Sequence, residues 1–192
     1  MSRRTLVSVT RLAPLVCHPS TPPGGVTAIA AGARVTRDGL LACSFRVDGA
    51  LEHLRIPPPG VPRMGSRLWQ HTCFEAFVAA GSGPAYQEFN FAPSGEWAAF
   101  AFRGYRDGEA LTDAALAPQI TVRRGATWLE LDASVQLLQP SPSDVHAPLR
   151  LSLTAVIETQ DGALSYWALC HPPGAPDFHH PDTFALTSEG RC

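Results

Sequence analysis

The 192-residue sequence predicts an all-β protein, an antiparallel β-sandwich of jelly-roll type, and three observations carry that reading. The chain holds 18 prolines and 16 glycines, which leave little room for long helices and mark many turns. Between those turns, apolar and polar residues alternate with period two. Hydrophobic residues make up 45% and charged residues 17%, enough apolar material for a core and unlike a disordered tail.

Taken in order, residues 1–25 read as an N-terminal extension or a first edge strand, and residues 26–188 as one sandwich domain. The opening MSRRTLVSVTRLAPLVC has its apolar run broken by Arg11, short of the about 7–15 residues an export signal needs. No stretch approaches the roughly 20 apolar residues of a membrane span, so a cytoplasmic protein is expected. Asp38-Gly39 separates the strand patterns VTAIAAGARV and LLACSFRV. GSGP at 81–84 reads as a hairpin loop after LWQHTCFEAFVA. Ser94-Gly95 divides YQEFNF from EWAAFAF, and Asp161-Gly162 divides LSLTAVIE from ALSYWAL. Leu129 and Leu131 alternate with Trp128, Glu130 and Asp132. Leu149, Leu151, Leu153, Ala155 and Ile157 mark the inward side of a half-buried strand. SVQLL at 134–138 reads as a helical turn. The proline patches at 19–23, 57–62, 140–142 and 172–176 read as loops. A closed barrel is the alternative architecture for such a set of strands.

Composition also excludes chemistry. All 15 basic residues are arginine, so Schiff-base, P-loop and lysine general-base mechanisms are ruled out. A net charge of -2 gives no general attraction to nucleic acid or anionic lipid. Cys17, Cys43, Cys73, Cys170 and Cys192 show no CxxC spacing, so neither a disulfide framework nor a zinc finger is indicated. There is no GxSxG elbow and no dinucleotide or Walker loop.

The chemistry-bearing residues lie in the middle of the chain. Alternation puts Glu75 opposite Phe74 and Ala76, and Glu88 and Asn90 opposite Phe89 and Phe91. The same parity puts Trp97, Arg103 and Tyr105 opposite Phe100 and Phe102. On neighbouring strands these residues give one sheet face carboxylates, an amide, an arginine and aromatic rings. Such a face suits a sugar, because rings stack on the C–H side of a pyranose while planar polar groups bond its hydroxyls. An ordinary sandwich surface alternates in the same way without any ligand. His71, beside Trp69, is a further candidate for this place. A second cluster, His171, Asp177, His179, His180 and Asp182, offers metal-binding or proton-transfer groups, though its spacing matches no known zinc motif. No metal and no cofactor is expected. A site using His171, Asp177, His179 and His180 is the alternative.

The W-x5-E element (Trp69, Glu75), the following Y-x-E-F-N-F-x-P-S-G-x-W and the terminal P-D-F-H-x-P-x-x-F resemble bacterial DOMON-like proteins. These in turn are similar to family 9 carbohydrate-binding modules and cytochrome-type DOMON domains. The resemblance spans about Val26 to Leu186 and implies a β-sandwich that holds a sugar or a haem. In its sugar-binding branch Trp69 and Glu75 take part in binding, Trp167 or Trp97 supplies a second ring, and Asn90 and Arg103 hold hydroxyls. In its haem-binding branch Met64 and a late histidine, His171 or His179, supply the axial ligands.

The expected function is therefore non-catalytic binding of a small molecule, a carbohydrate or polyol, at Trp69, His71, Glu75, Glu88, Asn90, Trp97, Arg103, Tyr105, Trp167 and His171. Electron transfer through haem is one alternative. A hydrolase using His71, Glu75 and the His171–His180 loop is another, and a protein-interaction module with no small ligand is a third.

Overall fold

The computed structural model describes residues 11–36, 38–138 and 147–188. The export-signal reading of residues 1–10, the Pro140–Pro142 loop and Cys192 lie outside the described residues. The strands are β1 (Ala13–Cys17), β2 (Val26–Val35), β3 (Leu40–Gly49), β4 (Arg63–Met64), β5 (Cys73–Ala80), β6 (Tyr86–Phe91) and β7 (Glu96–Gly104). They continue with β8 (Asp107–Ala110), β9 (Gln119–Arg124), β10 (Trp128–Gln136), β11 (Leu149–Glu158), β12 (Leu164–Ala168) and β13 (Leu186–Ser188). The helical segments described are single 3-10 turns, so the protein is all-β. Among the described residues no helix is long and apolar enough to cross a membrane.

The strands hydrogen-bond in the order β4-β7-β6-β5-β11-β12-β1-β2-β3-β10-β9, with β8 also on β7 and β13 on β11. Pairing is antiparallel except between β4 and β7. The sheet curls over on itself into a sandwich, and β1 is the seam. Its first half, Ala13 to Leu15, pairs with β2, and its second half, Val16 and Cys17, pairs with β12. Residues 13–17 are thus an interior rung, which corrects the expected extension or edge strand. The path ends at β4 and β9, so the sheet stays open and the barrel alternative falls. SVQ of the expected helical turn continues β10 against β3, where Val135 is buried opposite Leu41.

Alternation makes the core. Phe45 and Leu131 face inward from β3 and β10, and Phe74, Phe89 and Leu153 face inward from β5, β6 and β11. The rings of Phe45 and Phe74 meet 5.1 Å apart across the two layers. Gly95 and Gly162, at φ of 88° and 87°, close the β6–β7 and β11–β12 hairpins in a conformation that disfavours side chains. One strand departs from its expected half-burial. On β11 the outward residues Ser152, Thr154, Val156 and Glu158 are buried as well as the inward ones. The chain from Phe178 to Phe184 lies against the outer face of this layer, with the Phe184 ring against Phe77 and Tyr86.

Candidate functional site

Three strands bring the polar residues of this outer face together. Register sets Glu75 of β5 beside Asn90 of β6 and Thr154 of β11, and sets Glu88 of β6 between Phe77 and Phe100. The Thr154 hydroxyl donates to Glu75 Oε2 at 3.0 Å, and Asn90 Nδ2 donates to Glu88 Oε1 at 2.6 Å. The Cys73 thiol donates to Asn90 Oδ1 at 3.5 Å. Glu75 and Glu88 are only 2% and 5% exposed. Burial pushes both carboxyls well above the usual carboxylate range, and the nearby charge of Glu88 pushes Glu75 further. Thr154 opposes the shift at Glu75, and Asn90 and then Arg106 oppose it at Glu88. The pair therefore retains a proton near neutral pH.

The C-terminal loop supplies the other side. Asp177 accepts from the Tyr105 hydroxyl at 2.7 Å, from Arg106 Nη2 at 2.9 Å and from the His179 N–H at 3.1 Å. These bonds hold His179 over β6. The Tyr86 hydroxyl accepts from the Arg106 N–H at 3.2 Å and is hydrogen-bonded to His179 Nδ1 at 2.8 Å. His179 Nε2 stands 3.8 Å from Glu88 Oε2, beyond a direct hydrogen bond. Burial, with the Arg106 charge adding to it, lowers His179 to about 4, so the ring is neutral at physiological pH.

Between the loop and the sheet lies a cavity of about 400 Å³. Glu75, Glu88, Arg106 and His179 supply its polar surface, and Trp69, Phe100, Phe102, Tyr166 and Phe178 its aromatic walls. Trp69 rides on a 3-10 turn, Leu68–Gln70, entered through Arg67 in the left-handed region. Leu68 is buried beneath the turn, which leaves the Trp69 ring 41% exposed and edge-on to Phe100 at 6.0 Å.

The structure thus gathers Trp69, Glu75, Glu88 and His179 around one space, with Asn90 buried behind Glu88. It places other candidates elsewhere. Trp97 is in the core beside Phe91, because the β6–β7 hairpin pairs those two residues. Phe100 and Phe102 take the outer face instead, so the expected parity of β7 is reversed there. Trp167 is also in the core, 5% exposed, with its Nε1–H donating to Ser165 Oγ at 3.0 Å, and offers no ring to a ligand. Arg103 points to solvent and pairs with Asp107 at 3.1 Å. Tyr105 contributes by holding Asp177. His71 meets Glu158 at 2.8 Å, not Glu75, and Arg55 takes the other oxygen of Glu158 at 2.8 Å. His171 donates through Nε2 to the Val16 carbonyl at 2.8 Å and packs edge-on to His18. His71, Glu75 and His171 therefore do not form the hydrolase constellation.

The four residues of the alternative metal site each have other partners. Asp177 and His171 hold the contacts just described, and His180 Nδ1 accepts from the Asp182 N–H to cap a 3-10 turn. Among the described residues no group of three or more His, Cys, Asp or Glu is arranged to hold a metal. Of the haem pair, Met64 sits on β4, and His171 follows β12, five strands further along the order. The cavity that His179 lines is not lined by Met64. Phe100, Phe102, Arg106, Tyr166 and Phe178 are cavity residues that no motif marks. Counting the pairing outward from Ser94-Gly95 would have found the first two.

Comparison with known proteins bears on the fold. No protein-family model matches the sequence, and no curated protein matches it significantly. Among solved structures the chain is similar to a Bacteroides uniformis protein with a provisional carbohydrate-binding assignment, at a TM-score of 0.67 and 16% identity over 90% of this chain and 83% of that one. It is also similar to a family 9 carbohydrate-binding module from Caldicellulosiruptor kristjanssonii in complex with cellotriose, at a TM-score of 0.53 and 9% identity over 85% and 74% of the two chains. At these identities the likeness establishes the β-sandwich fold.

Proposed function

We propose that the protein is a non-catalytic binding module of the DOMON-like kind whose cavity takes a carbohydrate or a similar polyol. The observation that carries this reading is the exposed Trp69 ring standing at a cavity that Glu75 and Glu88 also line. A ring of that size stacks on the apolar face of a pyranose, and carboxyl oxygens accept from its hydroxyls. The fold shared with carbohydrate-binding structures supports the same reading.

Titration calorimetry with cellotriose and a panel of mono- and disaccharides tests it. The wild type should bind at least one sugar, and Trp69→Ala should weaken that binding by about 2 kcal/mol or more, as for an aromatic anchor. Its stability should change by no more than about 0.5 kcal/mol, because the ring is at the surface. Failure of the wild type to bind any sugar, or equal binding by Trp69→Ala, overturns the proposal.

A further inference from the structure

We infer that the cavity selects a ligand carrying an ammonium group, an amino sugar over its neutral counterpart; this rests on reading the cavity as a sugar site. The argument begins with charge pairing. Elsewhere, carboxylates are matched by arginines: Glu158 by Arg55, Glu96 by Arg63, Asp107 by Arg103, Glu130 by Arg46 and Arg123. Glu75 and Glu88, far more buried than most of these, form no ion pair with an arginine among the described residues. Each accepts one side-chain hydrogen bond from a neutral group, Thr154 or Asn90. Glu75 Oε1 and Glu88 Oε2 have no hydrogen-bond donor among the described residues.

The basic groups that line the cavity do not fill this need. Arg106 is spent on Asp177 at 2.9 Å, and its guanidinium packs over the Tyr105 ring. His179 is neutral, with Nδ1 hydrogen-bonded to the Tyr86 hydroxyl. What remains is an acidic floor beneath aromatic walls, including Trp69, Phe100 and Tyr166. Hydroxyl groups of a neutral sugar would bring no charge to two acids. A protonated amine brings a positive charge, up to three N–H donors for the two idle oxygens, and attraction to ring faces.

Proton exchange follows from this arrangement. As the ammonium enters, protons held by Glu75 and Glu88 leave to solvent, so binding tightens as pH rises toward their raised values of about 8 and about 7. The groups facing the pair are Cys73 and Tyr86 from β5 and β6, Tyr166 from β12, Arg106 from the β7–β8 turn, and Asp177 and His179 from the C-terminal loop. Burial keeps the Cys73 thiol and the Tyr86 phenol protonated across that range, and His179 stays neutral.

The test is calorimetry at pH 7 with glucosamine, glucose, N-acetylglucosamine and choline, on the wild type and on E75Q/E88Q. Glucosamine should bind about tenfold or more tightly than glucose and N-acetylglucosamine, and E75Q/E88Q should erase that advantage. Equal binding of glucosamine and glucose by the wild type overturns the ammonium inference while leaving the sugar function standing. Binding of choline alone overturns both the amino-sugar preference and the sugar function, because choline carries the charge without an N–H donor. No binding of any of the four overturns the inference.

Discussion

The two layers of this sandwich present outer faces built by the same alternation and finished in opposite ways. On the β3-β10-β9 layer, Arg46 pairs with Glu130 at 2.7 Å and Asp48 at 2.9 Å, Arg123 pairs with Asp132 at 2.7 Å, and Arg46 packs over Trp128. Every one of these groups is solvated. On the β5-β6-β11 layer, the C-terminal loop covers Glu75 and Glu88, and their hydrogen bonds come from Thr154 and Asn90. Exposed ion pairs cost little and contribute little. Buried carboxyls without a partner arginine are costly to ionise, so the second face keeps its acids protonated where the first satisfies its charges with partners.

The largest test of that contrast removes the cover. Phe178→Ala should cost about 3 kcal/mol in denaturant unfolding, toward the low end for a buried phenylalanine, and should return Glu75 and Glu88 toward ordinary carboxyl values by NMR titration. Carboxyls that stay shifted would mean the sheet, not the loop, creates the difference. Tyr86→Phe comes next at about 1–2 kcal/mol, since it strands both the Arg106 N–H and His179 Nδ1. The pH dependence sharpens the comparison further. The folded glutamates hold protons to higher pH than the unfolded chain does, so their contribution falls as pH rises from the ordinary Glu value and levels off above the raised folded values. His179 acts in the opposite sense, its contribution being lost as pH falls toward about 4. Subtracting the melting curve of E75Q/E88Q from that of the wild type isolates the carboxyls. A difference that is flat from pH 5 to 8 would make the two faces alike. The smallest effect belongs to Arg46→Ala, a Tm change near the limit of measurement that vanishes in high salt.

Much of the frame is legible residue by residue. Glu88 and Asn90 are opposite Phe89 and Phe91, and the turns at Asp38-Gly39, Ser94-Gly95 and Asp161-Gly162 join consecutive strands as their composition implies. Parity within a strand is a local property, and it holds. What fails is parity carried across a hairpin. Trp97 belongs with Phe91 because the turn sets their register, and a slip of one residue changes every face. The approach of His179 and Phe178 to a sheet some ninety residues earlier in the chain is set by tertiary docking of an irregular loop. No spacing rule reports it. Met64 and His171 illustrate the converse, two residues with matching chemistry that the strand order holds far apart.

The seam strand imposes an order on how the molecule can be completed. Val16 is paired with Ala168, so the join between the two layers waits until β12 has left the ribosome. Until then Val16 and Cys17 have no partner strand, and without them β12 is paired only on its β11 side. Loss of residues 13–17 would make that interval permanent, leaving two open strand borders where a second molecule can add on. The five residues Ala13–Cys17 therefore work as the clasp that decides whether the borders of β2 and β12 are closed or left open to another molecule.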